Sequence, residues 1–462
     1  MRWSPNGPLR AALREEDRDD LASVASSFKR ARRAADPSDM SSVVPQDPVG
    51  ARSTAREKKL KVVILTPAWP GGQMPNGIVT YAAHVVPALR EKGVEVFVVA
   101  GVDGSSVADP RVSVPKPLQV PPLRLALGRL QELFSRGASA DHLNEMAIAG
   151  EVNRLVRDHG VDIVEMEESF GWCGWVATHC NVPIIARLHG PWFLNGAMTE
   201  DTTTRIFRRR VQREGKALER VAGISAPSRD VLERTRAFYG QALSEAEVIP
   251  NPLPGVADSD RWDPLKCEPS TVLFVGRFDS HKAGDVAIEA FARIRAVEPS
   301  ARLVFAGADL GVNDSAGRRW HVREFIEDRL PREADRAAVE YLGPQPPAVI
   351  RQLRVRAAVT VVCSRWENFP YTLGEAMTYG CPVVATATGG LVEMVTDGET
   401  GLLARPADPD DLARAVLQLL RDPAGAAVLG RRAAEASAKQ LSPASIAAQT
   451  LAFYRRVLSR KT

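Results

Sequence analysis

From Lys61 onward the chain alternates short, mainly apolar runs with amphipathic stretches, and this limits its fold more than any other feature. KVVILTPAW reads as a buried strand, NGIVTYAAHVVPALREKG as a helix, and VEVFVVAG as the next strand. Asn76 is placed to cap that helix and Gly93 to end it in the left-handed conformation. The pattern continues through VDIVEME, VPIIARLHG, VAGISAPS and EVIPNP, then restarts with STVLFVGRF, ARLVFAGA, VEYLG, AVTVVCS, CPVVATAT and TGLLARP. Strands that are apolar on both faces belong to parallel sheets covered by helices on each side. Two such series in 462 residues predict an α/β protein of two Rossmann-like domains. Ligands of open parallel sheets bind beyond the carboxyl ends of the strands, so two facing domains should bind in the cleft between them.

The expected boundaries follow from shifts in composition. Residues 1–58 contain SSFKRARRAADPSD and no sustained apolar period, so they are expected to be a disordered tail. The first domain is expected over 59–254 and the second over 255–442, divided in the proline-rich PNPLPGVADSD. A helix is expected over 443–462, with Tyr454 and Leu458 on one face. A formal charge of +4 on this length gives no support for a nucleic-acid partner. Five cysteines without a C-x-x-C pair support neither a disulfide scaffold nor a zinc ribbon, and a reducing cytoplasm is the simplest home. No apolar run approaches a membrane span.

Two loops carry the chemistry. GRFDSHKAG places Arg277 and Lys282 after a strand, where two cations suit a diphosphate. SRWENFPYTLGEAM places Glu367 in a loop and Glu375 within a helix that starts near Pro370. Proline favours the first helical position, and the amides there attract phosphate. The two carboxylates could face solvent, clamp a metal, act as a hydrolase pair or hold one polyhydroxyl ligand. A glycosidase pair would leave the Arg/Lys loop without a purpose. The acidic string DPDDL reads as a helix start rather than a metal site.

Ser364 to Gly401, with its Glu, Glu-Ala-Met, Gly-x-Pro-Val-Val-Ala, Gly-Gly, Glu and Asp-Gly-x-x-Gly order, resembles the E-x7-E region of the family 4 retaining glycosyltransferases, also called glycosyl transferases group 1. GRFDSHKAG resembles that family's diphosphate loop, NGIVTYAAHVVPAL its N-terminal glycine loop and VIPNP its interdomain segment. The resemblance implies a GT-B fold and transfer of a hexose-type sugar from a nucleotide diphosphate sugar, without a metal or other cofactor. Glu375 would then contact the donor ribose and Glu367 the transferred sugar, while Arg277 and Lys282 neutralise the leaving diphosphate. Asn368, Phe369, Pro370 and Tyr371 would add backbone contacts, and Gly77 would let the first helix approach phosphate or acceptor closely. His189 in ARLHGP matches the family's active-site histidine, and Glu393 would lie near the site. Asn368 stands where many members have glycine.

UDP is the commoner nucleotide in that family, and GDP stays open. The acceptor is expected to be a glycan or lipid-linked glycan, with Trp192 and Phe193 offering rings for a sugar or, equally, core packing. RIFRRRVQR and LRLALGRLQELFSR are basic amphipathic stretches, so weak peripheral contact with anionic lipid, abolished by salt, is an expectation alongside plain surface helices. A nucleotide-sugar binding protein without transfer activity, and a GT-B epimerase, are the competing readings.

Overall fold

The computed structural model describes residues 59–72, 76–105, 108–116, 138–198 and 202–460. The tail over 1–58 and the stretch over 123–136 lie outside the described residues. Among the described residues, seven strands build the first half: β1 (Lys61–Trp69), β2 (Glu95–Asp103), β3 (Val112–Ser113), β4 (Ile163–Glu167), β5 (Ile184–Arg187), β6 (Gly223–Ala226) and β7 (Ala246–Val248). The second half has β8 (Glu268–Val275), β9 (Arg302–Ala306), the small hairpin β10 (Val312–Asn313) and β11 (Arg319–Trp320), β12 (Val339–Gly343), β13 (Ala357–Val362), β14 (Val383–Thr386) and β15 (Leu402–Ala404).

The first sheet has the order β3-β2-β1-β4-β5-β6-β7 and the second β12-β9-β8-β13-β14-β15, and each is parallel throughout. This is the expected pair of Rossmann-like α/β units. In each sheet the chain runs outward in one direction, then returns to start on the other side of its first strand. The reversal falls between β1 and β4, where Val62 pairs with Ile163, and between β8 and β13, where Leu273 pairs with Thr360. Loops leaving those four strands diverge, and the crevice they leave is where such sheets bind ligands.

Alternation along β1 explains why the strand is apolar throughout. Val62 and Ile64 face one layer, with Tyr81, Val85, Phe453 and Tyr454, while Val63 faces the other, with Val152, Val164 and Val176. The first of these layers includes the helix Pro443–Ser459, whose Phe453 and Tyr454 are buried beside the helix Gly77–Glu91. Asn76 caps the latter helix by accepting from the Ile78 amide at 2.8 Å, and Gly93 adopts φ +81° beyond its end. DPDDL is a helix start, with Asp408 Oδ1 accepting from the Asp411 amide at 2.9 Å.

Candidate functional site

The loop after β8 is shaped by Asp279, which is buried. One of its oxygens accepts from the Lys282 amide at 2.7 Å and the other from Arg277 Nε at 2.6 Å. The turn leads into the helix Gly284–Val297 and aims the Lys282 side chain back across the sheet. Lys282 Nζ lies 2.5 Å from Glu367 Oε1, an oxygen that also accepts from Ser364 Oγ at 2.7 Å. Glu367 is only 5% exposed. Burial pushes its carboxyl up, but the Lys282 charge, His281 and the two hydrogen bonds outweigh that and hold it below the ordinary range. An ionised carboxylate against an ammonium is thus in place before any ligand arrives.

The loops after β8 and β13 are stitched together. Arg365 donates to the Ser280 carbonyl at 2.9 Å and binds Asp285, while the His281 ring meets the Trp366 carbonyl at 2.7 Å. Beneath them lies the Gly389-Gly390 floor. The Gly390 amide donates to the Glu367 carbonyl at 2.8 Å, and Gly389 has φ +53°. A Cβ on Gly390 would stand 2.0 Å from the Asn368 carbonyl, so only glycine lets the segment over Glu367 and Asn368 lie this close.

The helix Tyr371–Tyr379 begins where expected, with Pro370 at its N-cap. Its first-turn amides have no partner within the helix. Glu375 pairs with the buried Arg354 at 2.6 Å and stays 41% exposed at its side chain. It is near enough to His84 of the helix Gly77–Glu91 to oppose the lowering of that imidazole by burial. Tyr371 is enclosed, and its hydroxyl makes no hydrogen bond among the described residues. Phe369 is buried with Leu253 and Leu441, at the two points where the chain crosses between the halves.

In the first half, His189 follows β5 and stands edge-on to Tyr81 at 5.1 Å. Its amide and that of Gly190 donate to the two oxygens of Glu168, each at 2.8 Å. Its carbonyl accepts from Asn368 Nδ2, bringing the two halves together at the site. Burial pushes the Glu168 carboxyl up to about 8, helped by Glu214. Glu214 in turn accepts from the amides of Phe170 at 3.1 Å and Trp192 at 2.7 Å. Two buried carboxyl groups therefore brace the loops after β4 and β5.

Several positions differ from the sequence expectation. Phe193 is buried and stacked on Phe238 at 4.1 Å, so it belongs to the core rather than to an acceptor platform. Trp192 has the Arg210 guanidinium 3.5 Å from its ring centre. Nothing lies within 4 Å of a Cβ built on Gly77, whereas one on Gly71 would meet Ala83 at 2.5 Å, so Gly71 is the glycine its packing requires. In RIFRRRVQR, Arg210 sits between Phe170 and Trp192 and Arg213 binds Asp141 and Glu145, while Arg205, Arg208 and Arg209 are exposed and keep part of the stretch a basic surface. Glu168, Glu214 and Trp366 had no sequence signal beyond being polar or aromatic in a loop or helix.

Burial holds His189 well below the ordinary imidazole value of 6.5, assisted by the Arg187 charge, and burial likewise lowers His281. The His189 ring is expected to be neutral at pH 6, which ring-nitrogen NMR would read directly. A folded value below the unfolded one adds stability above about pH 6.5, lost as the pH falls. A midpoint for His189 at or above 6.5 would contradict the enclosed geometry.

Residues 75–254 match the family described as Glycosyltransferase Family 4, and residues 257–436 match Glycosyl transferases group 1. A D-inositol 3-phosphate glycosyltransferase of Corynebacterium aurimucosum is 28% identical over 417 residues, which are 84% of this chain and 93% of that protein. Glycogen synthase of Mycobacterium tuberculosis is 30% identical over 221 residues, 47% of this chain and 50% of that one. Among solved structures, sucrose-phosphate synthase from Thermosynechococcus elongatus superposes with a TM-score of 0.63 at 22% identity, covering 87% of this chain and all of that one. Anabaena HepE in complex with UDP-glucose gives 0.59 at 18% identity, covering 85% and 99%. With two facing Rossmann-like units and family matches across both, the chain belongs to the family 4, group 1 glycosyltransferases of GT-B fold.

Proposed function

We propose that the protein transfers a hexose-type sugar, with retention of configuration, from a UDP-sugar to a hydroxyl of a glycan or lipid-linked glycan. The observation that carries this reading is the contact between Lys282 and Glu367 at the switch point of the second sheet. Glu367 would accept a hydroxyl of the transferred sugar with the oxygen that Lys282 and Ser364 leave open. Lys282, Arg277 and the first amides of the helix Tyr371–Tyr379 would surround the diphosphate, supplying fixed positive potential where negative charge develops as the glycosidic bond breaks. These cations take the role that a divalent ion plays in other transferases, so the reaction would need no metal. Arg277 is paired with Asp279 and 45% exposed at its side chain, so it is free to swing onto phosphate.

Neither glutamate of the motif is placed as a free nucleophile: Glu367 already serves Lys282, and Glu375 pairs with Arg354. The bond to the leaving oxygen would therefore break as the acceptor oxygen approaches the same face, and a departing phosphate oxygen would take the acceptor proton. Neutral His189 would donate to, or accept from, a sugar hydroxyl without adding charge near the oxocarbenium-like centre. The UDP-glucose complex of the Anabaena neighbour supports a uridine donor. The name of the Corynebacterium relative favours a second reading for the acceptor, a small soluble polyol. Peripheral lipid contact belongs with the lipid-linked acceptor alone.

The test is nucleotide release from a panel of UDP- and GDP-sugars without acceptor, beside Glu367→Ala and Glu375→Ala proteins. Slow hydrolysis of one donor by the wild type, lost in both variants, is the expected result. Binding of a nucleotide sugar with no turnover, even with polyol and glycan acceptors added, would favour a binding protein. Interconversion of the free nucleotide sugar with its epimer would favour an epimerase.

A further inference from the structure

The loop that carries Glu367 does not stay within its own domain. Trp366 is 6% exposed and lies in the core cluster of the first half, with Val231 and Leu232. Its Nε1 donates to Asp230 Oδ2 at 2.9 Å, and Arg234 Nε fixes that carboxylate from the other side at 2.8 Å. Two residues on, Asn368 binds the His189 carbonyl. Glu367 thus lies between two side chains anchored in the opposite half, while its own side chain turns back to Lys282.

A second contact lies behind the loop. Glu393 belongs to the short helix Leu391–Met394 that follows the Gly389-Gly390 floor. Its two oxygens accept from the amides of Arg229 and Asp230, each at 2.8 Å, at the start of the helix Arg229–Tyr239. The N-cap Ser228 takes the Val231 amide at 3.4 Å, so a carboxylate from the other domain completes the capping of this helix. The contact satisfies amides that have no helical partner and sets an anion at the positive end of the helix dipole.

We infer that Glu393 and Trp366 are positioning residues that latch the halves together, so that the Glu367 loop takes its donor-contacting shape only when the cleft is closed. This rests on the reading that Glu367 meets the donor sugar. The floor under that loop and the latch are three residues apart in one segment, so moving Glu393 off its helix carries Gly390 with it. Opening the cleft also withdraws the Trp366 indole from its pocket and exposes an aromatic surface of about 200 Å². Donor binding and closure then favour each other, because both stabilise the same loop.

The test compares full-length wild type with Glu393→Ala, Glu393→Gln and Trp366→Phe by small-angle scattering and by donor kinetics. Glu393 is exposed, and its alanine variant should fold as the wild type does, with a melting temperature lowered by no more than the loss of one helix cap. Without nucleotide, Glu393→Ala is expected to show a larger radius of gyration than wild type, shrinking again with saturating UDP. Its donor KM should rise roughly twofold to thirtyfold, the scale for losing a helix cap, with kcat at saturating donor little changed. Glu393→Gln, which keeps one acceptor oxygen, should fall between. Trp366→Phe keeps an aromatic ring, smaller than the indole, but not the N–H and should shift KM in the same direction. Identical scattering of wild type and Glu393→Ala, or a loss confined to kcat, would overturn the latch. Absence of turnover on every nucleotide sugar would sink the transferase reading, whereas the scattering comparison would still decide the latch.

Discussion

Lys282→Ala should lower turnover at saturating donor by roughly a hundredfold to a thousandfold, while the protein remains folded. Lys282 supplies the charge that the leaving diphosphate would meet, and that charge is already half-buried and aimed by the Asp279 turn. Water entering the alanine variant would have to reorganise around the developing charge, which the wild-type ammonium does not need to do. The same substitution alters Glu367. With its largest opposing influence gone, burial dominates and the carboxyl value should rise. In the wild type this group adds stability above its unfolded value near 4.5, lost as the pH falls. In the variant the sign reverses, and stability should be lost as the pH rises. Melting at pH 5 and pH 8 beside nucleotide-release kinetics reads both effects. Lys282→Arg should recover part of the rate, since it restores charge but spreads it over a planar fork. A turnover within a few-fold of wild type for Lys282→Ala would remove Lys282 from the leaving-group role.

Arg187→Leu is expected to cost about 3–5 kcal/mol of stability, the scale for breaking a buried charged network by removing one member. Arg187 is 1% exposed. Its Nη2 donates to the Ile249 carbonyl at 2.9 Å and to Asn251 Oδ1 at 2.7 Å, and the guanidinium lies 4.0 Å from the centre of the Tyr81 ring. On the far side of that ring, Glu165 accepts from Tyr81 at 2.7 Å and from Tyr454 at 3.0 Å. Burial pushes both phenols up, so they remain donors across the physiological range. The cluster joins the first helix, two strands, the crossing segment at Asn251 and the returning C-terminal helix. Leucine would leave buried acceptors at Ile249 and Asn251 without their donor and would remove the buried cation that stands over Tyr81. A fall in the denaturation midpoint measures the loss, and a change below about 1 kcal/mol would show that the crossing segment does not depend on this cation.

The sequence resolved those features whose physical cause is local. Continuous apolar runs such as KVVIL and TVLFV mark strands buried on both faces, because a parallel sheet must be covered on each side. Arg277, Lys282 and Glu367 were legible because each follows a strand in a loop whose spacing brings it to the same end of the sheet. Pro370 announced its helix because its own ring sets the backbone there.

What the tertiary structure alone decided concerns groups whose meaning depends on a distant partner. Glu168 reads as one more acid in EMEES until it meets the His189 and Gly190 amides, 21 and 22 residues on. Glu393 reads as a carboxylate near the site, and nothing around it in sequence points to its partner, a helix 164 residues earlier. Trp366 could stack on a ligand or fill a core, and only the opposite domain shows which. The arginines of RIFRRRVQR look alike in sequence, yet Phe170, Trp192 and two carboxylates take up Arg210 and Arg213 and leave Arg205, Arg208 and Arg209 at the surface. By itself the sequence determined the strands, the helices and the end of each sheet that bears charge, because propensity, apolar period and capping act over a few residues. The tertiary structure decided which carboxylates are buried, which rings are covered and how the two halves grip each other, because desolvation and hydrogen-bond pairing depend on what the rest of the chain brings alongside.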